Sequence, residues 1–124
     1  MNSSISLPVT PRAAATARQT IEAALGPHAH AELVENAKLL ATELVTNAVR
    51  HAGLSPSEWI EFHVDATPLQ VRVEVCDRGA GFRQRWRRSG VDGGWGLFLV
   101  EQLSTRWGIE QDGVTRVWFE LASR

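Results

Sequence analysis

Glu43 and Asn47 are the first residues whose types and spacing suggest chemistry. They are four positions apart, and residues four apart in a helix sit one above the other. Arg50 and His51 continue the same stripe one turn later. An acid, an amide and a base therefore converge along one line, at the border between the apolar face of the helix and solvent. An ordinary helix edge with solvated side chains is the alternative.

A second candidate is the segment Asp77-Arg78-Gly79-Ala80-Gly81-Phe82, which directly follows a predicted strand. Alternating glycines let the backbone come close to a flat ligand. The Asp77 carboxylate at the strand end can accept a hydrogen bond from an exocyclic amine such as that of adenine. A plain Asp-Gly turn between two strands is the alternative.

A third candidate is Gly93-Gly94-Trp95-Gly96-Leu97, at the start of a predicted helix. Glycines before a helix leave its first amides open, and the positive end of the helix dipole adds to a phosphate site. The segment is not a Walker loop, because no Gly-Lys-Ser/Thr follows, and it lacks the position of a Rossmann fingerprint. A glycine-rich turn without a ligand is the alternative.

The six residues Arg83–Arg88 between the two glycine segments are four arginines, Gln84 and Trp86. The segment is either a solvated loop or a lid that neutralises phosphates or docks an acidic partner. A tryptophan among arginines also fits single-stranded nucleic acid. The net charge of −1 gives no support to that interpretation, so we expect no direct nucleic-acid binding.

The elements that position these residues follow from periodicity and turn signals. Thr10-Pro11 predicts an N-cap with proline at the first helical position, and Asp112-Gly113 predicts a hairpin turn. The predicted order is a short strand, two helices, two strands, a loop, a helix and two strands: Ser4–Leu7, Arg12–Leu25, His30–His51, Trp59–Asp65, Val71–Cys76, 77–94, Trp95–Ser104, Arg106–Glu110 and Val114–Leu121. This order predicts an α+β two-layer sandwich, with a mixed, mostly antiparallel sheet and all helices on one face.

The length of 124 residues fits a single domain spanning residues 1–124. A hydrophobic fraction of 44% is sufficient for a buried core. The single cysteine, Cys76, excludes an internal disulfide and suits a reducing compartment; we expect it to be a small core residue. No apolar run approaches the roughly 20 residues of a membrane span, and no signal pattern opens the chain. We therefore expect a cytoplasmic protein that does not bind membranes.

The order and spacing of the three segments resemble the Bergerat ATP-binding fold of gyrase, heat-shock chaperones and sensor histidine kinases. The resemblance rests on Glu43–Gly53, on Asp77-x-Gly79-x-Gly81-Phe82 and on Gly94-Trp95-Gly96-Leu97. Within that fold the chain is most similar to the stand-alone anti-sigma-factor serine kinases. The segments Leu99–Gly108 and Val117–Leu121 fit the same subgroup, so the resemblance covers nearly the whole chain.

The resemblance implies a role for three residues of the long helix. Asn47 would offer its side-chain oxygen to Mg²⁺, which prefers oxygen ligands together with substrate phosphates. Glu43 would accept the proton of an attacking hydroxyl or orient a water. Arg50 occupies a position where histidine kinases often carry a lysine that reaches phosphate.

The resemblance also implies how ATP would be held. Asp77 would bind the adenine amine, and the remaining residues would admit the ring or start the phosphate-binding helix: Gly79, Gly81, Gly94, Gly96 and Leu97. Many relatives add a threonine near the start of the last strand. Counted back from Val117, that position holds Arg116, and Thr115 is one residue away, a shift that turns a side chain to the other face of a strand.

The function implied is that of an ATP- and Mg²⁺-dependent serine/threonine protein kinase. It would bind an RNA polymerase sigma factor and phosphorylate a small anti-anti-sigma (STAS-type) partner. The short lid and the shifted Thr115 favour the alternative, a nucleotide-switched binding module without productive phosphoryl transfer. Relatives often pair as homodimers, and the sequence leaves this open. Trp59, Trp107 and Trp118 are expected to fill the core or a partner surface.

Overall fold

The computed structural model describes residues 2–27, 29–51, 58–78 and 96–123. They form three helices and five strands in the predicted order. In chain order the elements are β1 (Asn2–Pro8), α1 (Ala13–Leu25), α2 (Ala31–His51), β2 (Trp59–Thr67), β3 (Gln70–Asp77), α3 (Gly96–Leu103), β4 (Arg106–Gln111) and β5 (Thr115–Ala122).

The five described strands form one sheet in the order β1-β2-β3-β5-β4, and each pair of neighbours is antiparallel. Two of the connections are tight hairpins. In the β4–β5 hairpin Gly113 has a φ of 90°, a left-handed conformation that glycine adopts without steric cost. The predicted turn at Asp112-Gly113 is therefore confirmed.

The helices cover one face of the sheet, as predicted. α1 contacts β1 and β2, α2 contacts β3 and β5, and α3 contacts β4. Alternate strand side chains point into this layer, among them Phe62 and Phe119, both 0% exposed. Burying a side chain of this size contributes about 1.5–3 kcal/mol. The apolar arc predicted for α2 packs here: Leu40, Ala41, Leu44, Val45 and Ala48 are buried, and Val49 is partly buried.

The start of α1 differs from the sequence-based prediction. The helix begins at Ala13, and Arg12 is its N-cap residue without a side-chain capping hydrogen bond. Thr10 instead closes a turn, because its carbonyl accepts the Ala13 N–H at 3.1 Å and its hydroxyl accepts the Arg12 N–H at 3.3 Å. The hydroxyl of Thr10 is thus used to turn the chain out of β1, and the predicted N-cap at Thr10 is wrong.

The other face of the sheet, which we call the open face, carries a polar ladder. Ser6 Oγ donates to Glu61 Oε1 at 2.6 Å, and Arg72 donates to Glu120 Oε2 at 2.9 Å. Trp118 lies flat on Gly108, where a Cβ atom would come within 2.7 Å of the indole ring. Glycine at position 108 is therefore what lets the ring lie against β4.

Cys76, expected in the core, lies on the open face, and so do Trp59 and Trp118, which were expected in the core or at a partner surface. Cys76 is half-buried there, because residues 71, 73 and 75 of β3 point into the core and their neighbours point away. Trp59 is 57% exposed. Of Trp59, Trp107 and Trp118, only Trp107 packs against the core. The strand alternation, rather than the apolar nature of these side chains, decides their side of the sheet.

Candidate functional site

The first turn of α2 lies at the end of the sheet where β3 begins and β5 ends. His30 Nδ1 is 2.8 Å from Ser123 Oγ, next to Ala122, the partner of Gln70 in the β3–β5 register. A cavity of about 340 Å³ at this end is lined by residues of α2, of the C-terminal part of α3 and of the end of β5, including Leu33, Leu103 and Leu121. We call this end the Gln70 end of the sheet.

The second half of α2 reaches the opposite end, which we call the Asp77 end. From Ala31 to Asn47 the helix rises about 24 Å at 1.5 Å per residue. Over β3, from Gln70 to Asp77, the chain advances about 23 Å at 3.3 Å per residue. Since α2 packs on β3 and starts at the Gln70 end, Asn47 and Asp77 lie at the same end.

A second cavity confirms this placement of α2. It has about 220 Å³ and lies between the start of α1 and α2, where it is lined by Thr10, Pro11, Val45, Val49 and others. Thr10 follows β1, whose last residue, Pro8, pairs with the first residue of β2, at the end of the sheet where β3 finishes. The second half of α2 is therefore above the Asp77 end.

The start of α3 points toward the same end of the molecule. Leu103, at its C-terminus, lines the cavity at the Gln70 end, and the Thr105 N–H donates to Glu120 O at 2.7 Å as the chain enters β4. α3 also packs against α2. Its N-terminus at Gly96 is therefore directed away from the Gln70 end, so the positive end of its dipole faces the half of the molecule that holds Asn47 and Asp77.

Asn47 is nearly fully buried, with 4% of its surface exposed. Its Nδ2 donates to the Glu43 carbonyl at 2.9 Å. This hydrogen bond fixes the orientation of the amide: a carbonyl oxygen only accepts hydrogen bonds, so the amide nitrogen of Asn47, and not its oxygen, must face it. The described hydrogen bonds leave Oδ1 unused, so the amide presents an oxygen acceptor of the kind that a hard cation prefers.

Glu43 is partly buried one turn before Asn47. Burial raises the pKa of its carboxyl group, and the positive charge of Arg50 acts in the opposite direction. Desolvation disfavours the charged form of an acid. Arg50 is exposed two turns further along the same stripe, so the predicted line of acid, amide and base is present, with a carboxyl group that holds its proton more tightly than a solvated one.

Asp77 and Thr115 are direct partners across β3 and β5. Both are buried, with 3% and 4% of their surface exposed, and both point into the helix layer. The Cβ atoms of directly opposite residues are about 5 Å apart. Arg116, the residue at the position expected for threonine, points to the open face, where it pairs with Asp112 at 2.8 Å.

The one-residue shift was expected to turn the Thr115 side chain away from Asp77. The register instead places Thr115 directly opposite Asp77, on the same face of the sheet. Thr115, Val117, Phe119 and Leu121 alternate into the core, and the same parity could have been seen in the sequence. Thr115 and Asp77 are thus brought together, with Asn47 and Glu43 at the same end. Gly79, Gly81, Gly94 and the segment Arg83–Arg88 lie outside the described residues, as do the side chains of His51, Gly96 and Leu97.

The model for the histidine kinase-like ATPase domain family matches residues 7–121. The chain belongs to this family. The match includes each of the described helices, the complete strands β2, β3 and β4, and all of β5 but its last residue, together with Glu43, Asn47, Asp77 and Thr115. The resemblance inferred from the sequence and the α+β fold that it implied are therefore confirmed.

Individual proteins are also similar to this histidine kinase-like ATPase domain. A serine-protein kinase RsbW of Listeria innocua is 31% identical over 88 residues, which cover 58% of this chain and 55% of that protein. A serine-protein kinase RsbW of Staphylococcus aureus is 28% identical over 98 residues, which cover 66% of this chain and 62% of that protein. The match thus spans a little over half of the length of these curated relatives.

None of the helices in the described ranges combines the length and the apolar character that crossing a membrane requires.

The cavity between the start of α1 and the second half of α2 was not predicted from the sequence, since it depends on how the two helices diverge at the Asp77 end.

Proposed function

We propose that the chain binds Mg-ATP at the Asp77 end and transfers the γ-phosphoryl group to a serine or threonine of a protein partner. One observation carries the proposal: the buried pair Asp77–Thr115 lies at the same end of the sheet as the buried Asn47 and the partly buried Glu43. Asp77 and Thr115 have groups that suit a nucleobase, and Asn47 and Glu43 have groups that suit phosphates and a metal ion.

The adenine ring would be recognised by the Asp77–Thr115 pair. The Asp77 carboxylate accepts a hydrogen bond from the exocyclic amine of the ring. The Thr115 hydroxyl, directly opposite, can donate to a ring nitrogen or accept from the same amine. Because both residues are buried, these hydrogen bonds would form with little competition from water.

Mg²⁺ and the phosphates would be held by α2. Asn47 Oδ1 is the protein ligand, and the fixed orientation of its amide fits this role. When bound, Mg²⁺ neutralises charge that develops on the phosphate oxygens. Arg50, which is exposed beyond Asn47, would contact a phosphate. The N-terminus of α3 would add backbone amides.

Glu43 would act as the base. Its carboxylate takes the proton of the serine or threonine hydroxyl, the freed oxygen bonds to the γ-phosphorus, and the bond from that phosphorus to the oxygen retained by ADP breaks. The raised pKa of Glu43 suits this task, because a carboxylate with a higher pKa is a stronger base toward the hydroxyl proton.

The partners follow from the resemblance to anti-sigma-factor kinases. We propose a sigma factor as the protein held and an anti-anti-sigma protein as the phosphate acceptor, in the cytoplasm. Two relatives named as serine-protein kinases support the class of reaction. A homodimer is included in the proposal because proteins of the family that the chain resembles often pair in this way.

The test is a transfer assay with an anti-anti-sigma protein from the same genome, Mg-ATP and intact-mass detection of phosphoserine or phosphothreonine. Glu43→Gln should lower the rate by about 10²- to 10⁴-fold, the usual contribution of a general base. Glu35→Gln, an exposed carboxylate on the same helix, is the matched control and should leave the rate unchanged.

The outcomes separate two functions. Phosphate on the partner that depends on Glu43 supports the kinase. Nucleotide binding that changes the affinity for a partner, without any transfer and without an effect of Glu43→Gln, would contradict the kinase and favour the nucleotide-switched binding module.

A further inference from the structure

The open face carries the same two residue types twice, in the same spacing. On β5 they are Trp118 and Glu120, and on β2 they are Trp59 and Glu61. Residues two apart on a strand point to the same face, with about 6.7 Å between their Cα atoms. Each strand therefore offers an indole ring and a carboxylate side by side on the open face.

On β5 this set is filled by arginine. The Arg72 guanidinium lies 4.1 Å from the centre of the Trp118 ring and donates to Glu120 Oε2 at 2.9 Å. Arg106 lies at 5.9 Å from the same ring, and its Nε donates to Glu120 Oε1 at 2.9 Å. The hydrogen bond from Arg106, followed by the bond from Arg72, lowers the pKa of Glu120.

On β2 the set has no such occupant within the described part of the chain. Trp59 is 57% exposed, and both cation–ring contacts among the described residues belong to Trp118. Glu61 accepts one hydrogen bond, from the Ser6 hydroxyl to Oε1, and makes no ion pair with a residue of the described ranges. One of the Glu61 carboxylate oxygens and more than half of the Trp59 surface are thus available on the open face.

The surroundings of Trp59 leave room for a side chain. A hollow of about 510 Å³ is lined by Trp59, Glu61, His63, Glu74, Arg116 and neighbouring residues. Two carboxylates of the open face, those of Glu61 and Glu74, line it together with two arginines, Arg78 and Arg116. Of the arginines, Arg116 is already paired with Asp112 and Glu74. Glu74 is paired in turn with Arg116 and Arg72, so of the two carboxylates Glu61 is the one that keeps an oxygen for a further cation.

We propose that Trp59 and Glu61 form a docking site for an arginine side chain presented by a partner protein. The arrangement on β5 shows how the arginine would bind on β2: its guanidinium stacks on the indole ring and donates to the carboxylate two residues along the strand. Arginine suits the site better than lysine, because its planar guanidinium stacks on a ring and donates two parallel hydrogen bonds, while an ammonium is a compact, strongly hydrated charge.

This docking site does not depend on the proposed function. Trp59 and Glu61 point away from the helix layer, whereas Asn47, Asp77 and Thr115 point into it. A partner bound at Trp59 would lie behind the Asp77 end of the sheet, so it and a nucleotide could be bound at the same time. Loss of one site therefore leaves the other measurable.

The test is an NMR titration of the whole chain with N-acetyl-arginine-N-methylamide, in which the indole N–H signals of the five tryptophans are followed. The Trp59 signal is assigned with Trp59→Phe. We expect that signal to move in a saturable manner at millimolar ligand, while the Trp118 signal stays in place because Arg72 already covers its ring. The lysine analogue should bind more weakly.

Two variants make the result specific. Glu61→Gln should weaken binding by about two- to five-fold, and Asp65→Asn, an exposed carboxylate further along β2, should leave it unchanged. Both should bind ATP like the unmodified chain. The proposal is overturned if Trp59 does not respond, if the lysine analogue binds equally well, or if Glu61→Gln has no effect.

Sedimentation analysis separates a partner protein from a second copy of the chain. The unmodified protein and Glu61→Gln should have the same oligomeric state. If the unmodified chain self-associates and Glu61→Gln does not, the occupant of the site is an arginine of a second copy, and the proposal of a different partner protein is wrong.

Discussion

Replacement of Gly108 by alanine should destabilise the fold through a single steric contact. The new Cβ would lie 2.7 Å from three atoms of the Trp118 ring, Cε2, Cζ2 and Nε1, whereas nonbonded carbon atoms prefer about 3.5–4.0 Å. The ring would have to retreat by about 1 Å. The Arg72 guanidinium lies 4.1 Å from the centre of the same ring and is itself held by Glu120.

The cost follows from these contacts. Overpacking of this kind costs about 1–3 kcal/mol, and loss of the stacked guanidinium adds about 0.5–1 kcal/mol. The sum is about 1.5–4 kcal/mol. For a chain of this length 1 kcal/mol corresponds to about 4 °C in Tm, so Gly108→Ala should lower Tm by about 6–16 °C.

The assay is thermal unfolding followed by circular dichroism, with a double-mutant cycle as its control. In a Trp118→Ala background the ring is absent, so Gly108→Ala should then cost less than about 0.5 kcal/mol or stabilise the strand. Equal destabilisation by Gly108→Ala in both backgrounds would refute the steric explanation.

Three further predictions concern groups near the Asp77 end. Burial raises the pKa of Glu43 above 4.5, so at pH values between the two pKa values the folded protein binds a proton that the unfolded chain has lost. The contribution of Glu43 to the free energy of unfolding therefore declines as pH rises through the raised pKa. Glu43→Gln should remove this decline, as measured by Tm from acidic to neutral pH, and an unchanged pH profile would contradict the prediction. Burial, with the hydrogen bond to Glu74, raises the pKa of Cys76 to about 12, so iodoacetamide should modify it roughly a thousandfold more slowly than a free thiol near pH 8, and rapid labelling of the folded protein would be inconsistent with this raised pKa. Thr115→Val keeps the shape but loses the hydroxyl, so it should weaken ATP binding about five- to ten-fold in calorimetry, and equal affinity would exclude a hydrogen bond to the nucleotide.

The sequence predicted the fold well where periodicity and turn chemistry act locally. The apolar arc of α2 and the Asp112-Gly113 turn are both present, because each depends on residues within a few positions. The N-cap at Thr10 was wrong because its hydroxyl and carbonyl close the turn out of β1. The Thr10 hydroxyl could either cap a helix or close a turn, and a pattern of residue types does not show which of the two it does.

The candidate site was predicted in part. The sequence indicated Glu43, Asn47 and Asp77 as candidates, but their common end of the sheet depends on the direction in which α2 crosses it, which is set by contacts such as His30–Ser123, 93 residues apart. The position of Thr115 could have been obtained from strand parity alone. Their roles in binding and catalysis stay predictions.

Binding of ATP to the unmodified chain and to Asp77→Asn, measured by isothermal titration calorimetry in the presence of Mg²⁺, tests the nucleotide site most directly. The unmodified protein should bind one ATP, and Asp77→Asn should weaken binding about 10- to 100-fold, since it removes a charged hydrogen-bond acceptor. Asp65→Asn, which is exposed on the neighbouring strand, should bind normally. Unchanged affinity of Asp77→Asn, or no binding to the unmodified protein, would contradict a nucleotide site at the Asp77 end.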